Sequence, residues 1–136
     1  MKRAIIFRGR TEQGKWVFGD LEYRRMSHVA LIHSYENDGR AMYRGQTQVQ
    51  NATIGQFTGL SDKNGKDIYE GDIVCMNTIT GGVYYIAFED SHIGAFSLCN
   101  ENGFVGIFGR SADFEPFYCE VIGNIHDNPE LLKIEK

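Results

Sequence analysis

The sequence predicts an all-β fold, and three observations carry that expectation. Apolar and polar residues alternate with a period of two over most of the chain. Sixteen glycines stand against two prolines, a glycine share well above the usual one, which points to many tight turns. Seven tyrosines and nine phenylalanines supply the aromatic residues that suit pleated, half-buried strands. Turn signals recur between short apolar runs with no long helical stretch among them, the pattern of a barrel or sandwich. At 136 residues the chain is the size of one domain, and such a chain buries roughly two-thirds of its unfolded surface.

In order along the chain, Ile5 and Phe7 share one face of a first strand, and "RTEQGKW" turns the chain through Gly14. "WVFGDLEY" reads as a second strand, with Val17, Leu21 and Tyr23 opposite Trp16 and Phe18. "HVALIHSY" is a third, Asp38-Gly39 a hairpin turn, and "AMYRG" a fourth strand. "TQVQNATIGQFTG" reads as an extended connection. In "QFTGLSDKNGKDIYEGDIV" the pair Asn64-Gly65 is a strong turn signal, because both residues tolerate positive φ. Asp62, Lys63 and Lys66 are expected to keep that tip in water. Asp67 to Glu70 forms a short strand, Gly71-Asp72 a bend, and Ile73-Val74 the start of the next strand. There the aspartate is placed to bond nearby amides. "IVCMNTI" and "VYYIAFE" flank the turn "TGG"; "AFSLC" and "FVGIF" flank Asn102-Gly103; "FYCEVIGNI" is the last strand. The tail alone looks helical, with Asn128 as cap, Pro129 at the first helical position and Glu130 in the first turn.

No apolar run approaches the roughly eighteen residues that span a bilayer as a helix. The start "MKRAIIFRGR" is basic and then apolar, but Ala4 to Phe7 is far shorter than a signal-peptide core, so the protein is expected to remain in the cytoplasm where it is made. Cys75, Cys99 and Cys119, an odd and sparse set, fit reduced, buried thiols better than disulfides or a zinc site. The net charge of −4 hides an asymmetry: residues 1–50 carry +4 and residues 51–136 carry −8. Such a dipole suits steering of a partner or head-to-tail self-association, and the charge change near residue 50 is the only candidate joint within a single domain.

Three ordered segments resemble the YopX family of phage and prophage proteins. "FRGRTEQGKWVFGDL" resembles that family's opening hairpin, "TIGQFTGLSDKNGKDIYEGDIV" its central signature, and "VIGNIHDNPELL" its closing one. The resemblance runs nearly end to end over residues 1–136, with sub-parts 1–50 and 51–136. It implies an SH3-like small barrel in the C-terminal part, an N-terminal β-hairpin region and a short C-terminal helical turn. It also implies a phage or prophage gene expressed in a bacterial host cell, and no established biochemical activity. The motif positions in the central segment are Gly55, Gly59, Asn64, Gly65, Tyr69, Gly71 and Asp72; those in the closing segment are Gly123, Asn124 and Pro129. All are read as structural. His126 stands where the family usually has an aromatic residue, and residues 75–115 match only as a strand pattern.

Catalytic and metal readings find little footing. His28 and His33, five apart in the third strand, face opposite sides and cannot share a metal. Glu89, Asp90, Ser91 and His92 are neighbours in sequence, whereas catalytic triads need convergence in space. Glu70 and Asp72 resemble a nuclease carboxylate pair for Mg²⁺, but Gly71 between them favours a bend and further ligands are lacking. No cofactor is expected, and no glycine pattern fits a phosphate loop. Lys2, Arg3, Arg8, Arg10, Lys15, Arg24 and Arg25 lie in the first two strands beside Trp16, Phe18 and Tyr23. Arginines with aromatics on a small sheet suit either nucleic acid or a protein partner. The expected function is a non-catalytic protein-interaction or assembly module that self-associates or captures a partner. Nucleic-acid binding is the second reading, and a metal-dependent nuclease the third.

Overall fold

The computed structural model describes residues 4–37, 42–77, 81–89, 94–109 and 118–133. Eleven strands alternate with turns: β1 (Phe7–Arg10), β2 (Trp16–Arg24), β3 (Val29–Asn37), β4 (Met42–Val49), β5 (Gly55–Ser61), β6 (Asp67–Tyr69), β7 (Asp72–Met76), β8 (Val83–Glu89), β9 (Ala95–Asn100), β10 (Gly103–Ile107) and β11 (Cys119–Asn124). Two 3-10 turns, Asn51–Thr53 and Pro129–Lys133, are the helical elements among the described residues. The all-β expectation therefore holds. One antiparallel sheet runs β4-β3-β2-β1-β5-β6 and a second runs β10-β9-β8-β7-β11. Among the described residues the second sheet is open, with no ladder closing it into a barrel.

The chain divides into two compact units, Met1–Phe57 and Thr58–Lys136, the division falling within β5. In the first unit inward residues of β3 and β4 form the core: Ala30, Ile32 and Val49 are buried, with Phe7, Val17, Leu21 and Ile54 packed against them. The sheet curls until the end of β4 returns to β1. Gln50 donates its amide to the Arg10 carbonyl at 2.8 Å, and a Cβ on Gly9 would lie 2.6 Å from Val49 Cγ2. Only a glycine allows that approach. In the second unit Ile68, Val74, Met76, Ile86, Leu98, Phe108 and Cys119 are buried together, flanked by Leu60, Tyr84, Phe96 and Val121. That core is larger, which matches the longer stretches of β-branched and aromatic residues in β7 to β9.

Several local expectations change. The stretch read as an extended connection begins inside β4, with Thr47, Gln48 and Val49 in register with β3. Gln46 and Gln48 face water and Val49 meets the core, so the apolar signal was thin. His28 lies in the turn before β3 and has φ 56°, so it does not share a strand with His33. Gly65 and Gly103 have φ 81° and 104°, but among the described residues His28 is the one non-glycine with positive φ, so neither Asn64 nor Asn102 adopts it. Asp62 is 6% exposed, not in water. The final 3-10 turn is not capped as expected: Asn128 Oδ1 accepts the amide of Asn124, 3.2 Å away. The Asp38-Gly39 turn lies outside the described residues.

Candidate functional site

The antiparallel register of β1 and β2 sets Arg8 opposite Phe18 and Arg10 opposite Trp16. Directly opposed residues share a face, so these four side chains converge on the side away from the core. The Arg8 guanidinium lies 4.7 Å from the Trp16 ring centre and that of Arg10 lies 6.0 Å from it. Both distances fall within cation–π range. Arg8 is 7% exposed and Phe18 46%, so the arginine is packed while the phenylalanine is offered to solvent. Arg10 Nε also donates to Gln50 Oε1 at 3.4 Å. This joins the stack to an open groove of about 440 Å³ lined by Glu12, Gln13, Gln48, Val49, Gln50 and Asn51. Sequence reasoning missed the groove. Its only trace is the amide-rich run Gln48 to Asn51, which carries no apolar period.

The other basic residues are arranged differently. Lys15 is exposed and donates its amide to Thr11 Oγ1 at 3.1 Å. Arg24 is paired through Nε with Glu22 Oε2 at 2.8 Å, and Glu22 Oε1 lies 2.7 Å from His33 Nε2. Hydrogen bonds from Arg24 and then His33 hold the Glu22 carboxyl below its usual range. Arg25 is exposed in the turn after β2. Tyr23 lies on the face opposite Trp16, its hydroxyl 3.3 Å from His28 Nδ1. The structure thus gathers Arg8, Arg10, Trp16 and Phe18, and leaves Tyr23 apart. Lys2 and Arg3 lie outside the described residues.

The central and closing motifs form a second constellation. Asp62 Oδ1 accepts the amides of Asn64 and Lys66 at 2.8 and 2.9 Å, while Oδ2 accepts that of Val121 in β11 at 2.9 Å. Burial opposes ionisation of this carboxyl, but the amides of Val121, Lys66 and Asn64 outweigh it and hold the pKa below the ordinary value. Lys63 donates its backbone amide to the Cys119 carbonyl at 3.0 Å. Burial, then the Asp62 carboxylate and Cys75, push the Cys119 thiol up to about 12, so it is an inert core thiol. Asp72, 2% exposed, accepts the Tyr69 amide on Oδ2 at 2.7 Å, and the turn passes through Gly71 at φ 94°. Tyr69 is buried, Gly55 pairs with Arg8, and Gly59 has φ 87°. Asn124 Oδ1 accepts the amides of His126 and Asp127. A Cβ on Gly123 would sit 2.6 Å from Asn128 Oδ1, and Pro129 opens the last 3-10 turn. Each of these contacts holds backbone.

Among the described residues, no three His, Cys, Asp or Glu side chains come together as metal ligands. Asp90, Ser91, His92 and the Glu89 side chain lie outside the described residues. No described helix is long and apolar enough to cross a membrane.

A family model described as "YopX protein" matches residues 6–133. Among solved structures the chain is similar to the crystal structure of protein EF1440 from Enterococcus faecalis. The TM-score is 0.63 and the identity 23%, over 96% of this chain and 99% of that one. No curated protein matches.

Proposed function

Starting from the YopX family, to which this chain belongs, we propose that the protein is a phage or prophage accessory factor of the host cytoplasm. It works by binding another protein, without catalysis. The observation that carries the reading is the β1–β2 face, where two guanidinium groups stack on Trp16 beside an exposed Phe18. Stacked arginine and aromatic side chains are the residue types that dominate protein–protein hot spots. Packing around Trp16 fixes both cations before a partner arrives, which lowers the entropy lost on binding. The second unit serves as the scaffold. The β5–β6 hairpin, tied to β11 by Asp62 and Lys63, supports that scaffold role.

A nucleic-acid reading rests on the same stack, since a guanidinium–indole pair is also a platform for bases. Protein is favoured because Asp20 and Glu22 alternate with Trp16, Phe18 and Arg24 on one face of β2, and Glu22 already neutralises Arg24. A phosphate backbone would meet those carboxylates. Trp16 is the only tryptophan in the chain, so its emission reports on this face alone. The test captures partners from host-cell extract with the wild type and with Phe18→Ser, then titrates the captured protein against Trp16 fluorescence. The expected result is a protein partner that shifts the emission and is lost with Phe18→Ser. Micromolar binding of plain DNA or RNA at physiological salt, weakened by Arg10→Ala, would overturn it in favour of the second reading.

A further inference from the structure

Among the described residues four strands end the two sheets: β4 and β6 in the first, β10 and β11 in the second. Strand edges invite pairing with other chains, and proteins usually blunt them with short strands, bulges, prolines or charges. β6 has three residues. β10 shifts register between Phe104 and Gly106. β11 shifts between Val121 and Gly123, and Asp62 and Lys63 occupy backbone groups along it. β4 differs from all three. Its eight residues, "MYRGQTQV", keep unbroken register with β3, contain no proline and carry one charge, Arg44.

Gly45 is a second, independent observation. It sits inside β4 in extended conformation, without positive φ. A Cβ there would meet nothing within 4 Å among the described residues. Neither backbone angle nor packing among the described residues calls for glycine, and a glycine inside a strand weakens it. Such a residue often marks the close approach of another backbone.

We propose that β4 pairs antiparallel with β4 of a second copy, the two-fold axis passing at Gly45. The proposal rests on the reading that this protein works through protein contacts, and it names one partner as the chain itself. Backbone direction fixes the register. Gln50, just past β4, aims its amide at Arg10 O, away from β3. By the two-residue repeat the amides of Gln48, Gln46 and Arg44 point out of the same edge. An antiparallel pair joins outward residues to outward residues, so Arg44 bonds the partner's Gln46 and Met42 the partner's Gln48. The two Gly45 residues then face each other as a non-hydrogen-bonded pair, at the closer spacing of about 4.5 Å between Cα atoms. No like charges are opposed, and the same patch serves both copies, as a two-fold interface requires.

Sedimentation velocity on the full chain tests this, with circular dichroism and melting as controls. The wild type is expected as a dimer. Gln46→Pro removes an outward amide that β3 does not use, and Gly45→Lys adds a charge at the axis where the described residues leave space. Each is expected to remain folded and to raise the dimer dissociation constant by at least about ten-fold. Thr47→Pro, whose amide points to β3, is expected to damage the fold instead. A wild type monomeric throughout the concentration range, or a dimer indifferent to both edge variants, would overturn the proposal. In either case, Phe18→Ser still losing partner capture would leave the binding reading of the β1–β2 face intact.

Discussion

The β1–β2 hairpin turns at Thr11–Lys15, and the β5–β6 hairpin at Asp62–Lys66. Both tips are built the same way. In each the first residue donates its amide to the carbonyl of the fifth and its carbonyl accepts from the fourth, a glycine, Gly14 at φ 88° and Gly65 at φ 81°. This is a three-residue loop ending in a left-handed glycine. In each, the first residue is buried and its side-chain oxygen takes the amide of the fifth. They differ at that first residue. Threonine has one neutral oxygen, which accepts the Lys15 amide within the turn. Aspartate has two charged oxygens, and the second reaches Val121, 59 residues away. One tip is therefore fastened to a distant strand, while the other leaves Glu12 and Gln13 lining an open groove. A single side-chain choice separates a structural joint from an available surface.

The largest effect is expected from Asp62→Ala. It strips three amides of their acceptor, one of them on another strand. A loss of roughly 3 kcal/mol or more follows, since bonds to charged groups and orphaned donors each count for about 1–3 kcal/mol; thermal or urea unfolding reads it. Next come Gly65→Val and Gly14→Val. Neither Cβ would meet a neighbour within 4 Å, so only backbone strain is at issue, about 1–2 kcal/mol each. Unchanged midpoints would show that the tips tolerate another turn. Thr11→Val removes one neutral acceptor and is expected to lower stability by about 1 kcal/mol, well below Asp62→Ala. A stability loss equal to that of Asp62→Ala would erase the distinction between the tips.

Acid provides a graded version of the same comparison. The Asp62 carboxyl is held below its ordinary value of 3.8, so its contribution is complete above that pH and is lost as pH falls through the folded pKa. Asp62→Asn is expected to lower stability near neutrality and to flatten the acid limb of the stability–pH curve. Thr11→Val leaves that limb unchanged. An acid limb identical in wild type and Asp62→Asn would place the titration elsewhere.

Much of this architecture was legible in the sequence. Alternation placed β2 because Val17 and Leu21 pack on the core opposite Trp16 and Phe18, whereas β3 and β9, buried on both faces at Leu31 and Ile32 and at Leu98 and Cys99, were bounded by their turn signals. Glycines marked the turns because only they take the positive φ at Gly14, Gly65 and Gly71. Asp62 was misjudged for a physical reason. A charged residue beside Lys63 and Asn64 looks solvated, and its burial depends on an amide from β11 that no local pattern announces. β4 was cut short because its outward glutamines resemble a loop. The Arg8–Trp16 stack was half legible: the residue types were visible, but their convergence needed the β1–β2 register. Tyr23 shares the group's residue types, but the alternation that sets it opposite Trp16 also keeps it off that face. The groove, made of amides from a turn and a strand end, left no periodic signal.

Native-state amide exchange compares the two tips in one sample. The amides of Asn64, Lys66 and Val121, all held by Asp62, are expected to exchange only when the second unit unfolds as a whole. The Lys15 amide, held by Thr11 Oγ1, is expected to exchange through local opening, at a rate insensitive to low denaturant. Equal protection at Lys15 and Asn64, with the same denaturant dependence, would contradict the account of one fastened tip and one open one.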